Sequence, residues 1–239
     1  MISYSSKFRS NQSEIMDDFD LQGASMKVLL TDLKTVNKWL GGNSVTMNGI
    51  SKLLDETPQQ QQYITILDVG CGDGEVLRQC EAWATKNEVA IRLVGVDANP
   101  HIIEEAKERS KGLKNTTFMV ADIFAEKEKL PSHDIALCTL FAHHFKEAQV
   151  VQLMQKLENE AKIGVVVNDL HRSRWAFWLF RIFSALFLKT KIARHDGLVS
   201  VARGFKKQEL VAISKYIHGK HQIQWKWAFR YQWIIKSNN

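Results

Sequence analysis

The chain has 239 residues, 45% of them hydrophobic and 24% charged, with three prolines and thirteen glycines. That balance suits one sizeable globular core with a modest appendage and excludes a fibrous or wholly disordered chain. Three cysteines, Cys71, Cys80 and Cys138, form no CxxC pair, so a disulfide framework gives way to a reducing, cytoplasmic setting, and no metal site is expected. The formal net charge is +6, but from Arg172 onward fourteen Lys/Arg stand against two Asp/Glu, and the preceding part is net acidic. Such asymmetry fits either a solvated basic face or an anionic partner, lipid headgroups or nucleic acid. The first twenty residues hold no secretory signal. The most apolar stretch, Trp175–Leu188, is broken by Arg181 and Ser184 and falls short of the roughly 20 residues a membrane span needs.

Residues Met1–Asn11 are polar and expected to fray. From Ser13 to Leu40 the apolar side chains Leu21, Ala24, Val28, Leu29, Leu33, Val36 and Leu40 recur at helical spacing. Gly41-Gly42-Asn43 ends that helix, as glycine suits a C-cap. A short helix, Val45–Leu54, leads to Pro58 and a glutamine run, Gln59–Gln62, which reads as a linker. Residues 1–58 are therefore taken as an N-terminal helical extension or lid, and residues 59–239 as the main domain. Strands are expected at Tyr63–Asp68, Ile91–Asp97, Thr116–Ala121, Ile135–Thr139 and Val165–Asp169. Helices at Gly74–Lys86, Pro100–Ser110 and Glu147–Ala161 alternate with them, Pro100 suiting a first helical position. Strands apolar on both faces, joined by helices, imply a covered parallel sheet with right-handed crossovers. After Arg172 the rhythm changes. An aromatic-rich helix or helix pair, Arg172–Leu188, precedes a loop at His195-Asp196-Gly197, where Asp-Gly signals a turn. A helix, Phe205–Tyr216, and two strands, Gln222–Ala228 and Phe229–Ile235, close the chain. The fold expected is α/β: a Rossmann-like, seven-stranded, mostly parallel sheet with helices on both faces, an N-terminal helical lid, and a helical insertion at 172–204 after strand five.

The chemistry gathers in ITILDVGCGDGEVL, Ile64–Leu77. A strand ends at Asp68, Gly70, Cys71, Gly72 and Gly74 form a turn, and a helix begins, a place where ligands bind beyond the carboxyl ends of strands. A dinucleotide site wants G-x-G-x-x-G with its pyrophosphate on the helix N-terminus. Counted from Gly70 the sixth position is Glu75, whose carboxylate would repel a pyrophosphate. The spacing suits S-adenosylmethionine, which carries no phosphate, with Asp68 placed to hold its ammonium. Asp97, beside Ala98, closes the second strand where a carboxylate accepts hydrogen bonds from ribose hydroxyls. Asp122 and Ile123, at the third strand's end, are placed to receive the adenine amino group and pack on its ring. Thr139, Leu140 and Phe141, after the fourth, would flank the methionine portion.

In that order and at those separations DVGCGDG, VGVDAN, VADIF and CTLFAHHF, over about Tyr63–Asp169, resemble the class I S-adenosylmethionine-dependent methyltransferases. Such an enzyme aligns acceptor and methyl group, excludes water and, for a hydroxyl acceptor, supplies a base. The candidates are His144, with His143 beside it, after strand four, and His171 after strand five with Asp169 to orient it; the histidine pair fits a packing role as well. EIMDDFDLQG and VNKWLGG before the core, with NDLHRSRWAFWLFRIF and RHDGLVSVARGF after it, resemble more narrowly the ubiquinone/menaquinone-biosynthesis-type, polyketide-associated methyltransferases of secondary metabolism. That resemblance implies O-methylation of an apolar phenol, pyrone or quinol. The stretch Trp175–Leu188, flanked by Arg172, Arg174, Arg181, Lys189, Lys191 and Arg194, reads first as a lid or pocket wall. Peripheral membrane contact through 172–194 and a homodimer contact are the alternatives. A nucleic-acid methyltransferase is disfavoured, because no Asn/Asp-Pro-Pro-aromatic element follows strand four. The intact acids Asp68, Asp97 and Asp122 speak against a non-catalytic relative.

Overall fold

Apolar side chains on both faces of five successive segments produce the covered strands β1 (Ile64–Val69), β2 (Ile91–Asp97), β3 (Thr116–Val120), β4 (His133–Thr139) and β5 (Ala161–Leu170). With β6 (Lys220–Lys226) and β7 (Arg230–Lys236) they form one seven-stranded sheet in the order β3-β2-β1-β4-β5-β7-β6. β1 to β5 run parallel, and β7 is antiparallel to both β5 and β6. The computed structural model describes residues 2–18, 21–57, 63–125 and 129–238; the linker expected at 58–62 lies outside them.

Strand periodicity divides the core in two. Leu67, Val69, Val165 and Trp233 pack on one face against α5 (Glu147–Glu160) and α8 (Lys207–Ser214). Ile64, Ile66, Leu137 and Val166 pack on the other against α2 (Gly42–Asp55), α3 (Glu75–Lys86) and α4 (Pro100–Arg109). The short N-terminal helix thus covers the sheet directly, through Ile50, Leu53 and Leu54.

The helix expected over Ser13–Leu40 is divided. Ile15–Asp17 makes a single 3₁₀ turn, and α1 spans Gly23–Trp39. Tertiary contacts override local propensity here: the buried Asp196 carboxylate accepts the N–H groups of Ile15 and Met16 at 2.8 and 3.0 Å, which holds the turn. The loop expected at His195-Asp196-Gly197 is instead the interior of a helix, α7 (Lys191–Arg203). The turn reading fails because both residues serve packing partners. Asp196 binds the N-terminal segment, and Gly197 lies against Phe180 of α6 (Arg174–Phe187), where a Cβ would come 2.2 Å from the ring. Asp32, buried in α1, accepts the N–H groups of Lys189 and Thr190 and so fixes the α6–α7 connection. Among the described residues no helix is long and apolar enough to cross a membrane.

Candidate active site

One cleft of about 730 Å³ opens over the carboxyl ends of β1 to β5. Asp68, Gly70, Cys71, Gly72, Asp97, Ala98, Asp122, Ile123, Thr139, Leu140 and Phe141 all line it. Gly74 does not; it caps α3 just behind, at φ +77°. The cofactor half expected from sequence is therefore assembled in one place.

Its geometry follows from the turn. Gly70 has φ +66°, and a Cβ there would come 2.2 Å from the Phe141 ring, so only glycine lets the loop pass under that side chain. The cradle this makes has open, unsatisfied polarity at its floor. Asp68 is 1% exposed, and neither carboxylate oxygen has a hydrogen-bond partner among the described residues. Burial, then repulsion from Asp97, pushes its carboxyl well above the ordinary range. A buried acid without a donor calls for a cationic ligand group. Asp97 accepts the Gly72 N–H at 3.1 Å and the Asn99 N–H at 3.0 Å, which fixes its rotamer while leaving lone pairs for hydroxyls. Burial raises its carboxyl too, against those backbone donors. Asp122 stands exposed at the rim and accepts the Phe124 N–H at 2.9 Å. Leu140 holds φ +53° where the chain leaves β4, a strained conformation for a side-chain-bearing residue of the kind that clusters at ligand sites. The Cys71 thiol is buried and pushed up by burial and by Asp68, so it is not a nucleophile.

The opposite half of the cleft is apolar and aromatic, with Leu179, Phe180 and Phe183 from α6, Val36 and Leu40 from α1's end, and Trp227 and Phe229 from the β6–β7 turn. Between the halves sits a group that sequence reasoning found only in part. Buried His143 donates through Nδ1 to Asp169 Oδ1 (2.7 Å) and through Nε2 to Glu14 Oε1 (3.3 Å). Burial alone would lower this imidazole, but the two carboxylates outweigh it and lift it to about 9. Glu14 and Asp169 are held below the ordinary carboxylate range, since the same hydrogen bonds and charges overcome their burial. Ser200 Oγ also donates to Glu14, at 2.8 Å. His144 lines the cleft, its Nδ1 3.0 Å from Asp17 and its Nε2 3.9 Å from Glu14. Glu14, His143 and His144 bring ligand atoms within 4.8 Å of one another, yet His143 has a carboxylate on each nitrogen, the pattern of a buried ion network.

His171 is placed elsewhere. It is not among the cleft-lining residues; its Nδ1 accepts the Trp225 indole N–H at 3.3 Å, and its ring lies 5.0 Å from that of Tyr231. Asp169, expected to orient it, serves His143 instead. His171 continues extended from β5, its N–H donating to the Phe229 carbonyl at 2.9 Å, and its ring lies against the β6–β7 hairpin. Arg172, expected on a basic surface, is fully buried in a two-pronged pair with Glu209 at 2.7 and 2.9 Å. Sequence reasoning missed Glu14, Asp17 and Ser200, because each lies far along the chain from the histidines it meets. It also missed Arg230, a buried cation on the cleft wall.

The profile of a methyltransferase domain matches residues 60–185. Comparison with curated protein sequences gives no match. Among solved structures, the plantazolicin methyltransferase BamL, in complex with a triazolic desmethylPZN analog and SAH, aligns over 90% of this chain and 92% of its own, with TM-score 0.65 and 14% identity. The plantazolicin methyltransferase BpumL, in complex with a monoazolic desmethylPZN analog and SAH, aligns over 87% and 90%, with TM-score 0.62 and 15% identity. Human N-acetylserotonin methyltransferase in complex with SAM aligns over 89% of this chain and 56% of its own, with TM-score 0.58 and 16% identity. At these identities the likeness is one of fold.

Proposed function

The chain belongs to the methyltransferase-domain family, and we propose that it carries the methyl group of S-adenosylmethionine to a hydroxyl of an apolar small molecule: a phenol, pyrone or quinol. The observation that carries this reading is the division of a single cleft. Unpartnered Asp68 and hydroxyl-ready Asp97 lie at one end, an aromatic wall at the other, and His144 between them.

When bound, adenosylmethionine supplies a methyl group already activated by its sulfonium. The chain supplies placement. Asp68 takes the ammonium, Asp97 the ribose hydroxyls, and Asp122 with Ile123 the adenine. The apolar wall holds the acceptor ring and excludes water, aligning its oxygen with the methyl carbon. His144 is the base: Asp17 accepts from Nδ1–H and fixes the tautomer, which leaves Nε2 to take the hydroxyl proton. The bound adenosylmethionine would give up its methyl carbon to the acceptor oxygen and keep the C–S electron pair on sulfur, leaving as adenosylhomocysteine, while His144 would hold the proton from the acceptor hydroxyl. Glu14, Asp17 and Ser200 act as positioning residues. One chain supplies every group named, so the chemistry does not need a homodimer. The acceptor class makes contact of segment 172–194 with a membrane surface part of this reading, as the route by which a lipidic substrate arrives.

Incubation with labelled adenosylmethionine and a panel of alkylresorcinols and quinols tests the proposal. Transfer to at least one of them is expected. In His144→Gln the turnover should fall about 10²- to 10⁴-fold, with adenosylhomocysteine affinity kept. Undiminished turnover removes His144 as the base, and NADH binding in place of adenosylhomocysteine removes the whole reading.

A further inference from the structure

Arg230 opens β7 opposite Leu170, the last residue of β5. It is 1% exposed, and it lines the cleft. Nη2 donates to Asn37 Oδ1 at 3.2 Å. Nε and Nη1 have no hydrogen-bond partner among the described residues. Burial lowers the guanidinium to about 10, against the pull of Asp169, so it stays cationic at neutral pH. Asp169 attracts it but makes no hydrogen bond to it, its oxygens accepting instead from His143 and the Leu170 N–H. From α2, Gly42 packs closely over the guanidinium, and a Cβ there would come 2.6 Å from Nη2. The pocket around the head group is thus shaped to hold it still.

A buried cation held in place with two nitrogens unmet has the form of half an ion pair. Its planar fork matches a carboxylate, which can accept from two N–H groups at once. We propose that Arg230 is the anion-binding residue of the cleft and receives a carboxylate of a bound ligand. Two molecules can bring that group: adenosylmethionine through its amino-acid end, or an aromatic acid as methyl acceptor. Asp68 and Arg230 then form an opposite-charged pair of anchors across the cleft floor. The inference rests on the methyltransferase reading of the cleft.

Calorimetry on the full chain separates the sources. Adenosylhomocysteine is compared with 5′-methylthioadenosine, which lacks the amino-acid end, and an alkylresorcylic acid with the alkylresorcinol that lacks its carboxyl, in wild type, Arg230→Met and Arg230→Lys. If the cofactor supplies the carboxylate, adenosylhomocysteine should weaken about 10- to 100-fold in Arg230→Met while methylthioadenosine is unchanged. If the acceptor supplies it, the acid should weaken by that factor while the resorcinol and both nucleosides bind as before. In either case Arg230→Lys should recover part of the loss, since it keeps the charge without the fork. Should Arg230→Met fail to fold, Arg230→Lys decides alone by weakening one of the two acids. Equal affinity of each acid and its carboxyl-free counterpart across the variants overturns the inference. Failure of wild type to bind either nucleoside sinks the cofactor reading, and this inference with it, and is told apart by appearing before any substitution.

Discussion

Asp68 shows how burial prepares a side chain for chemistry. Burial and repulsion from Asp97 raise its carboxyl, so its charged form gains most from a cationic ligand. Replacing it by asparagine removes the potential charge and keeps the shape. Asp68→Asn should weaken adenosylhomocysteine by about 1.5–3 kcal/mol, the usual worth of a charged hydrogen bond, while thermal stability is unchanged or rises, because a buried unpaired acid is lost. Calorimetry and a melting curve on the same protein check both halves; lower stability with unchanged affinity would show that Asp68 is structural. The acids were legible because each stands at a strand end within one continuous stretch, Asp68, Asp97 and Asp122. The proposed base was harder. Sequence marks both His144 and His171 as following strands, but the side of the sheet each reaches depends on how the chain leaves the last paired residue. Side chains alternate along the extended chain, so Leu170 lines the cleft and His171 meets Trp225 instead.

At the scale of elements, the interior of α7 explains a misreading and yields a measurement. Asp-Gly is a turn signal when its neighbours are solvent, and here they are Phe180 and the N-terminal segment. Gly197→Ala improves helix propensity by roughly 1 kcal/mol but forces a methyl into the Phe180 ring. Overpacking of this kind costs about 1–3 kcal/mol, so the variant should unfold at lower denaturant than wild type; a more stable variant would mean that α6 yields readily. The N-terminal segment has its own dependence on pH. Glu14 reaches His143, Arg9 donates to the His143 carbonyl at 2.8 Å, and Arg203 binds the carbonyls of His143, His144 and Gln12. The His143 ring faces Glu14, Asp169 and the His144 ring. Unfolded, its imidazole titrates near 6.5; folded, it does so at about 9. Its contribution to the folded state is full below pH 6.5 and is lost as pH rises through about 9. Hydrogen exchange at residues 2–18 should therefore quicken, relative to the sheet, between pH 7 and about pH 9.5 after correction for the intrinsic rate. Unchanged protection would show that the arginines hold the segment alone.

For the molecule as a whole, the architecture was more legible than the site. Covered parallel strands are short apolar runs bounded by turns, and all seven appear where hydrophobicity places them to within a few residues. Strand order is not a local property, and no residue in the sequence announces that β7 slots between β5 and β6. Of the apolar half of the cleft only the Trp175–Leu188 stretch was read as a pocket wall; Val36, Leu40, Trp227 and Phe229 reach it from far along the chain. The charge asymmetry also takes a sharper form. α6 buries Ala176, Phe177 and Phe180, yet leaves Trp175 (72% exposed), Ile182 (58%) and Leu186 (72%) in solvent. Arg174, Arg181, Lys189 and Lys191 are exposed around them. A helix apolar on two faces is suited to a second partner, and the cations favour an anionic lipid surface. Sedimentation with phosphatidylglycerol-containing vesicles should capture the protein, weakly with phosphatidylcholine alone, and Trp175→Asp with Leu186→Asp should abolish capture while adenosylhomocysteine still binds. A wild-type chain that ignores both vesicles, or pairs with itself through this face in solution, would remove the membrane contact.

The N-terminal segment also bears on the timing of the proposed reaction cycle. Met16 and Asp17 lie along the cleft beside the residues that would hold the cofactor, and the strap that carries them is pinned at Glu14 and Arg9. The proposed route for a nucleoside leaving the cleft runs past this strap. Chemistry at a sulfonium needs no such movement. Were release to wait on the opening of that strap, it would set the steady rate, and a first turnover faster than those that follow is the expected outcome of rapid-quench measurements.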